Sequence, residues 1–219
     1  PCASVTVVDD ASSPVQEETA EALRSMGAEY VQSSWERHGN LRGPDCIRGM
    51  LSEMCREAED DDILVKVDCD TALLDGGWLR WMEQRPWCQM YTSGDFVNGD
   101  WRVFGCLYAL RGWIARRLYR EMDWSLLDDR APEDWTIGRE VLARVPAALC
   151  RIDEPWRKRS PWSIWTAWCW PSRTVSAESY AARFAVVITG SPRMSNQPAS
   201  ERARVMHLRA DARERMLRE

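Results

Sequence analysis

An alternation of short apolar runs with amphipathic segments, all before residue 70, most constrains what this chain can fold into. Ser4 to Val8 is β-branched and stops at Asp9-Asp10, as a buried strand with a carboxylate edge does. Ser12, Ser13 and Pro14 open a helix over Gln16 to Met26 that Gly27 ends. Glu29 to Gln32 is a second short strand, and Trp35 to Gly43 is a loop by its Gly and Asn content. Pro44 starts a helix with Ile47, Met50, Leu51 and Met54 at positions i, i+3, i+4 and i+7. Asp60 to Asp62 close it, and Ile63 to Val67 form the clearest strand. This β-α-β-α-β order predicts one α/β domain with a mixed, mostly parallel sheet flanked by helices.

The later chain is less regular. Trp78 to Gln84 is a short helix. Trp87 to Thr92 and Trp101 to Phe104 flank Asn98-Gly99 and predict an antiparallel pair. Tyr108 to Met122 reads as an Arg-rich helix, and Pro132 begins another that runs to about Val145. Residues 153 to 175 are rich in Pro and Trp and irregular. Phe184 to Thr189 is a late strand, and Ser200 onward is a charged amphipathic helix.

A length of 219 residues suits one domain with a real core. The 29 basic and 34 acidic residues leave a net charge of -5, which gives no general attraction to nucleic acid. Lys66 and Lys158 are the only lysines, a bias that gives neither an automatic role. The eight cysteines form no C-x-x-C pair and are scattered, mostly within apolar stretches, as reduced thiols are. A cytoplasmic setting is expected, since no signal-peptide pattern and no 18-residue apolar run is present. The chain opens at Pro1 almost within the first strand, as a truncated or processed start does.

In an open α/β sheet, ligands collect at the carboxyl ends of the strands. Two strands here end in acid: Val7-Val8-Asp9-Asp10 and Val65-Lys66-Val67-Asp68-Cys69-Asp70. Alternate carboxylates leaving a strand converge on one hard cation, and oxygen ligands suit Mg2+ or Mn2+, which also take phosphate oxygens. An Asp-x-Asp triplet alone is common; the strand before it and the earlier acidic strand end give it weight. Asp9 and Asp10 have a plainer role as turn or helix-cap carboxylates, and one of them is expected to do only that.

Val7-Val8-Asp9-Asp10-Ala11-Ser12 resembles the opening motif of family-2-type glycosyltransferases of the GT-A fold, and Lys66-Val67-Asp68-Cys69-Asp70-Thr71 resembles their D-x-D segment. The resemblance is at the level of motifs and covers residues 5 to about 140. It departs from the pattern at Ala11, where the family has Gly. It implies a single GT-A, Rossmann-like domain: a nucleotide-sugar-binding half over 1–105 and an acceptor half over 106–219. It further implies that Asp9 and Asp10 contact the base and ribose of a UDP- or GDP-sugar. Asp70 would hold the metal directly, with Asp68 beside it, nearer the ribose or a bound water. Pro132-Glu133-Asp134-Trp135 resembles the acidic segment of inverting members, which makes Asp134 the base that deprotonates the acceptor. The plainer reading is an acidic helix start favoured by the helix dipole. Gly105 would line the floor of the sugar site, or be an ordinary turn glycine. The loop Gly39 to Gly43 is assigned nothing.

Other candidates have plainer readings. Lys66 is expected to face solvent, with Asp68 or a donor group as the alternative partner. His207 as a third metal ligand competes with a place on a surface helix, and His38 is a solvated loop residue. Trp156, Trp162, Trp165, Trp168 and Trp170 suit a satellite core; the alternatives are an acceptor wall, or a peripheral membrane or protein contact. Two competing functions remain. One is a haloacid-dehalogenase-type phosphatase with Asp68 as nucleophile, although two αβ units precede the motif. The other is a non-catalytic nucleotide-sugar-binding module.

Overall fold

A computed structural model describes residues 4–37, 41–69, 71–73, 77–97, 100–153, 166–167 and 186–188. The first half follows the predicted order. Strand β1 (Thr6–Asp9), helix α1 (Glu17–Ser25), strand β2 (Glu29–Gln32), helix α2 (Pro44–Cys55) and strand β3 (Ile63–Val67) succeed one another. Glu17 and Glu18 lie in the first turn of α1 and Arg24 in its last, each sign at the favoured end of the helix dipole. Pro44 occupies the first turn of α2, where its missing N–H costs nothing. β1 and β2 pair in parallel, Thr6 opposite Glu29 through Asp9 opposite Gln32.

After β4 (Thr71–Leu73) and α3 (Gly77–Glu83) come two long strands, β5 (Met90–Val97) and β6 (Asp100–Arg111). They form the expected antiparallel pair, with an irregularity between Thr92 and Gly94. The remaining elements are α4 (Gly112–Glu121), α5 (Glu133–Arg144), β7 (Cys150–Asp153), β8 (Thr166–Ala167) and β9 (Val186–Ile188). A four-stranded sheet has the order β3-β6-β5-β7, and a three-stranded one the order β4-β9-β8.

Two expectations are corrected here. The four-stranded sheet is not mostly parallel: β6 runs against both β3 and β5, and only β5 and β7 are parallel. The fold is a mixed α/β structure with a small parallel pair and a largely antiparallel sheet. The helix expected from Tyr108 starts at Gly112 instead. Leu107, Tyr108, Ala109 and Leu110 are all fully buried in a strand with neighbours on both edges. A continuous apolar run of that length fits a doubly covered strand and a buried helix alike, so its periodicity does not choose between them.

The core gathers Ile47, Met50 and Leu51 of α2, Ile114, Ala115 and Leu118 of α4, and Ile137 and Val141 of α5 with Met90, Val103, Tyr108 and Leu110 of the sheet. Each large aliphatic side chain buried there contributes about 1.5–3 kcal/mol. Among the described residues no helix is long and apolar enough to cross a membrane. Cys46, Cys55, Cys69, Cys88 and Cys150 are free thiols, as expected. Burial pushes Cys46 up to about 12 and Cys150 up to about 11, which keeps both protonated and unreactive at neutral pH. The 105/106 division falls inside β6. Asp70, Asn98, Gly99, His38, His207, the five tryptophans between 156 and 170 and the helix expected from Ser200 lie outside the described residues.

Candidate functional site

The end of β3 departs from the expectation for Lys66. Val67 is 41% exposed, whereas the Lys66 side chain is only 8% exposed. Strand alternation puts Lys66 on the same face as Leu64, which packs against the core. A lone ammonium there would be strongly penalised, so its partners decide whether the strand tolerates it. Its Nζ donates to Asp68 Oδ1 at 2.5 Å and to the Gly105 carbonyl oxygen at 2.5 Å. It stands 3.7 Å from Glu133 Oε2 and 5.6 Å from the centre of the Tyr108 ring.

Glu133, the first residue of α5, is buried beside it. The Tyr108 hydroxyl donates to Glu133 Oε1 and also approaches Met50 Sδ at 3.6 Å. Burial pushes the Glu133 carboxyl up to about 7, against the pull of Lys66 and the Tyr108 hydroxyl. Burial and then Glu133 hold the Tyr108 phenol well above its usual range, so it stays a neutral donor. Asp134, one residue on, is partly exposed, and its Oδ1 accepts from the Trp135 amide at 2.9 Å. The acidic pair at the start of α5 is thus divided, one carboxyl turned inward and the next toward the surface.

Gly105 lies between the two groups. A Cβ there would come 3.2 Å from Glu133 Oε2 and 3.3 Å from Asp134 Cβ, so any side chain would press on the start of α5. The predicted residues Asp68, Gly105 and Asp134 are therefore brought to one place, with Lys66 and Glu133 as the groups that join them.

Asp9 and Asp10 are engaged elsewhere, in the turn after β1. Asp9 Oδ1 accepts from the Asp10 amide at 3.0 Å, and its Oδ2 accepts from the Val15 amide at 2.8 Å and the Tyr30 hydroxyl at 2.5 Å. These bonds give Asp9 the turn-organising role expected of one member of the pair. Asp10 Oδ1 accepts from the Ser12 amide at 3.0 Å and the Ser12 hydroxyl at 2.7 Å, and Arg37 Nε stands 3.6 Å from its Oδ2. The Ser12 hydroxyl and amide, then Arg37, hold the Asp10 carboxyl below its usual range despite some desolvation.

The loop that the sequence left unassigned touches the site. The Leu41 carbonyl accepts from the Glu133 amide at 3.1 Å and the Ala131 carbonyl from the Gly43 amide at 3.1 Å, two bonds that make Arg42 and Pro132 an antiparallel bridge pair. Gly43 has φ 82° and a Cβ there would meet the Asp129 carbonyl oxygen at 2.8 Å, so glycine is required.

Sequence reasoning missed Glu133 as a buried group, although it shares the i, i+4, i+8 stripe of α5 with Ile137 and Val141, and that spacing was visible. Nothing in the sequence marked Tyr108 as its partner, because the pairing depends on β6 being a strand.

A strand-end carboxylate is a hard oxygen donor of the kind Mg2+ and Mn2+ take. The Asp68 side chain is 34% exposed, within reach of an ion. Its Oδ1 already holds an ammonium, which disfavours a second cation on that oxygen. Among the described residues no three His, Cys, Asp or Glu side chains form a ready-made cation cluster. Compared with models of known protein families the chain matches none, and no curated protein matches its sequence.

Proposed function

We propose that this chain is a glycosyltransferase that moves a sugar from a UDP- or GDP-sugar to an acceptor hydroxyl with inversion. The meeting of Asp68, Gly105 and the Glu133-Asp134 pair around one buried ammonium carries this reading. These groups come from three separate segments, and the family resemblance had assigned Asp68, Gly105 and Asp134 to donor, floor and base. Asp10, with Asp9 shaping its turn, would face the base and ribose, and Asp68 the ribose or a bound water. A bound Mn2+ or Mg2+, held by Asp70 with Asp68 beside it, would neutralise charge on the departing diphosphate.

The division of the acidic pair supports Asp134 as the base. Glu133 is buried, bonded to Tyr108 and tends toward its neutral form, whereas Asp134 reaches the surface where an acceptor arrives. Asp134 takes the hydroxyl proton as the acceptor oxygen bonds to the anomeric carbon and the sugar–phosphate bond breaks, releasing the nucleoside diphosphate. The free thiols suit a reducing compartment, so a cytoplasmic setting belongs to the same proposal.

A thermal-shift screen of nucleotide sugars with and without manganese tests this reading, since a ligand bound only by the folded chain raises its melting temperature. The expected result is a manganese-dependent shift with a UDP- or GDP-sugar, lost in Asp70→Ala. In Asp134→Ala donor binding is kept and turnover disappears. Phosphomonoester hydrolysis that needs Asp68 would instead identify a phosphatase. Donor binding without turnover in the unaltered chain would identify a binding module.

A further inference from the structure

Lys66 has no role in the transfer chemistry described above, yet it touches both sides of the site. We propose that Lys66 is a positioning residue: its buried ammonium locks Asp68, at the end of β3, to the Gly105 carbonyl on β6 and to Glu133 at the start of α5. Its effect on transfer rests on the glycosyltransferase reading; the locking itself does not.

Apolar residues of similar volume at both 66 and 133 would fill the same space without taking charge out of water, and such replacements of whole buried ion pairs are often neutral or stabilising, although removing one partner alone is not. Stability alone therefore does not call for lysine here. A long side chain with a multivalent donor head offers reach and several directed bonds at once. The two bonds at 2.5 Å fix the Asp68 carboxylate and the Gly105 peptide relative to each other. The 3.7 Å approach to Glu133 Oε2 ties in α5, whose next residue is Asp134. Glu133 is held from the other side by the Tyr108 hydroxyl. The donor-side and acceptor-side carboxylates thus sit on elements registered through one ammonium. A shift in Lys66 moves Asp68 and Asp134 relative to each other, and small misplacements of reacting groups are costly in rate.

With only two lysines in the chain, the test is direct. The full chain labelled with 15N-lysine gives two side-chain ammonium signals, and the Lys66 signal, identified by its loss in Lys66→Met, exchanges slowly with water. It is expected to move in Asp68→Asn and in Glu133→Gln and to stay in place in Asp10→Asn. A Lys66 signal indifferent to Asp68→Asn or Glu133→Gln overturns the locking. Initial rates with the nucleotide sugar and manganese selected by the thermal-shift screen test its consequence. Lys66→Met should lower kcat about 100-fold while the donor KM stays within about threefold, and Lys66→Arg should restore roughly tenfold of the loss. If Lys66→Met does not fold, Lys66→Met/Glu133→Gln removes the stranded buried carboxyl and carries the same kinetic test. A folded single or double variant with kcat within about threefold of the unaltered chain overturns the positioning role. If no nucleotide sugar stabilises the unaltered chain, the glycosyltransferase reading fails, and the ammonium signal alone decides the locking.

Discussion

β1 ends in aspartate and β3 runs directly into one, and their carboxylates are satisfied in opposite ways. At β1, Asp9 and Asp10 accept mostly from their own turn: the amides of Asp10, Ser12 and Val15 and the Ser12 hydroxyl, with Tyr30 and Arg37 added. At β3, Asp68 is bound by a lysine whose other partners lie on β6 and α5. The first arrangement is written locally and fails locally. The second couples distant segments, so damage to one member reaches the rest.

The sharpest way to break this comparison is Lys66→Met. It leaves Asp68 and Glu133 without their cation, and a loss of about 3 kcal/mol is expected in urea unfolding. Adding Glu133→Gln should recover more than about 1 kcal/mol beyond additivity, because the two share one network. Additive losses would mean that the β3 cluster is no more coupled than the β1 turn.

Next comes the pH dependence set by Glu133. Its folded carboxyl titrates near 7 and the unfolded one near 4.5. Between those values the unfolded chain binds fewer protons, so this group's contribution is full below about 4.5 and is lost as pH rises through about 7. The expected fall is on the order of 3 kcal/mol, read from urea midpoints across that window. Glu133→Gln should flatten this segment of the profile, and an unchanged slope would assign the effect to another group.

Gly105→Ala is expected to cost about 1–2 kcal/mol by crowding Glu133 and Asp134. In the proposed transfer reaction it should lower kcat more than it changes the donor KM. A neutral Gly105→Ala would show that the floor has room and that glycine there is incidental.

The smallest effect belongs to β1. Asp10→Asn should cost about 0.5–1 kcal/mol, since the amide oxygen still accepts from Ser12. The Asp10 carboxyl lies below its usual range, so its contribution is present above the unfolded value of 3.8 and is lost as pH falls through the folded one. A loss as large as that of Lys66→Met would erase the distinction between the two strand ends.

The same contrast explains what could be read from the sequence. The order β1-α1-β2-α2-β3 and the turn after β1 are set by neighbours a few residues apart, and the residue pattern displays them. The strand identity of Tyr108 to Arg111 is set by β3 and β5 on either edge, and no window along the chain contains that information. Lys66 looked like a solvent-facing strand residue because the acids that make its burial tolerable lie at 68 and at 133. Asp68, Gly105 and Asp134 were visible as candidates one at a time. Their meeting was not, because it depends on β6 entering between β3 and β5.

The link between residues 41–43 and 131–133 has a consequence for how this protein tolerates change. It consists of peptide groups: two amide-to-carbonyl bonds, which together make Arg42 and Pro132 a bridge pair. Such a joint makes side-chain demands at Gly43, whose φ and close approach to Asp129 demand glycine, and at Leu41, whose φ of 48° disfavours a β-branched replacement. Mutational drift at 42 and 131 can therefore proceed without disturbing where α5 begins, so these positions are free to diversify while the acidic pair keeps its station.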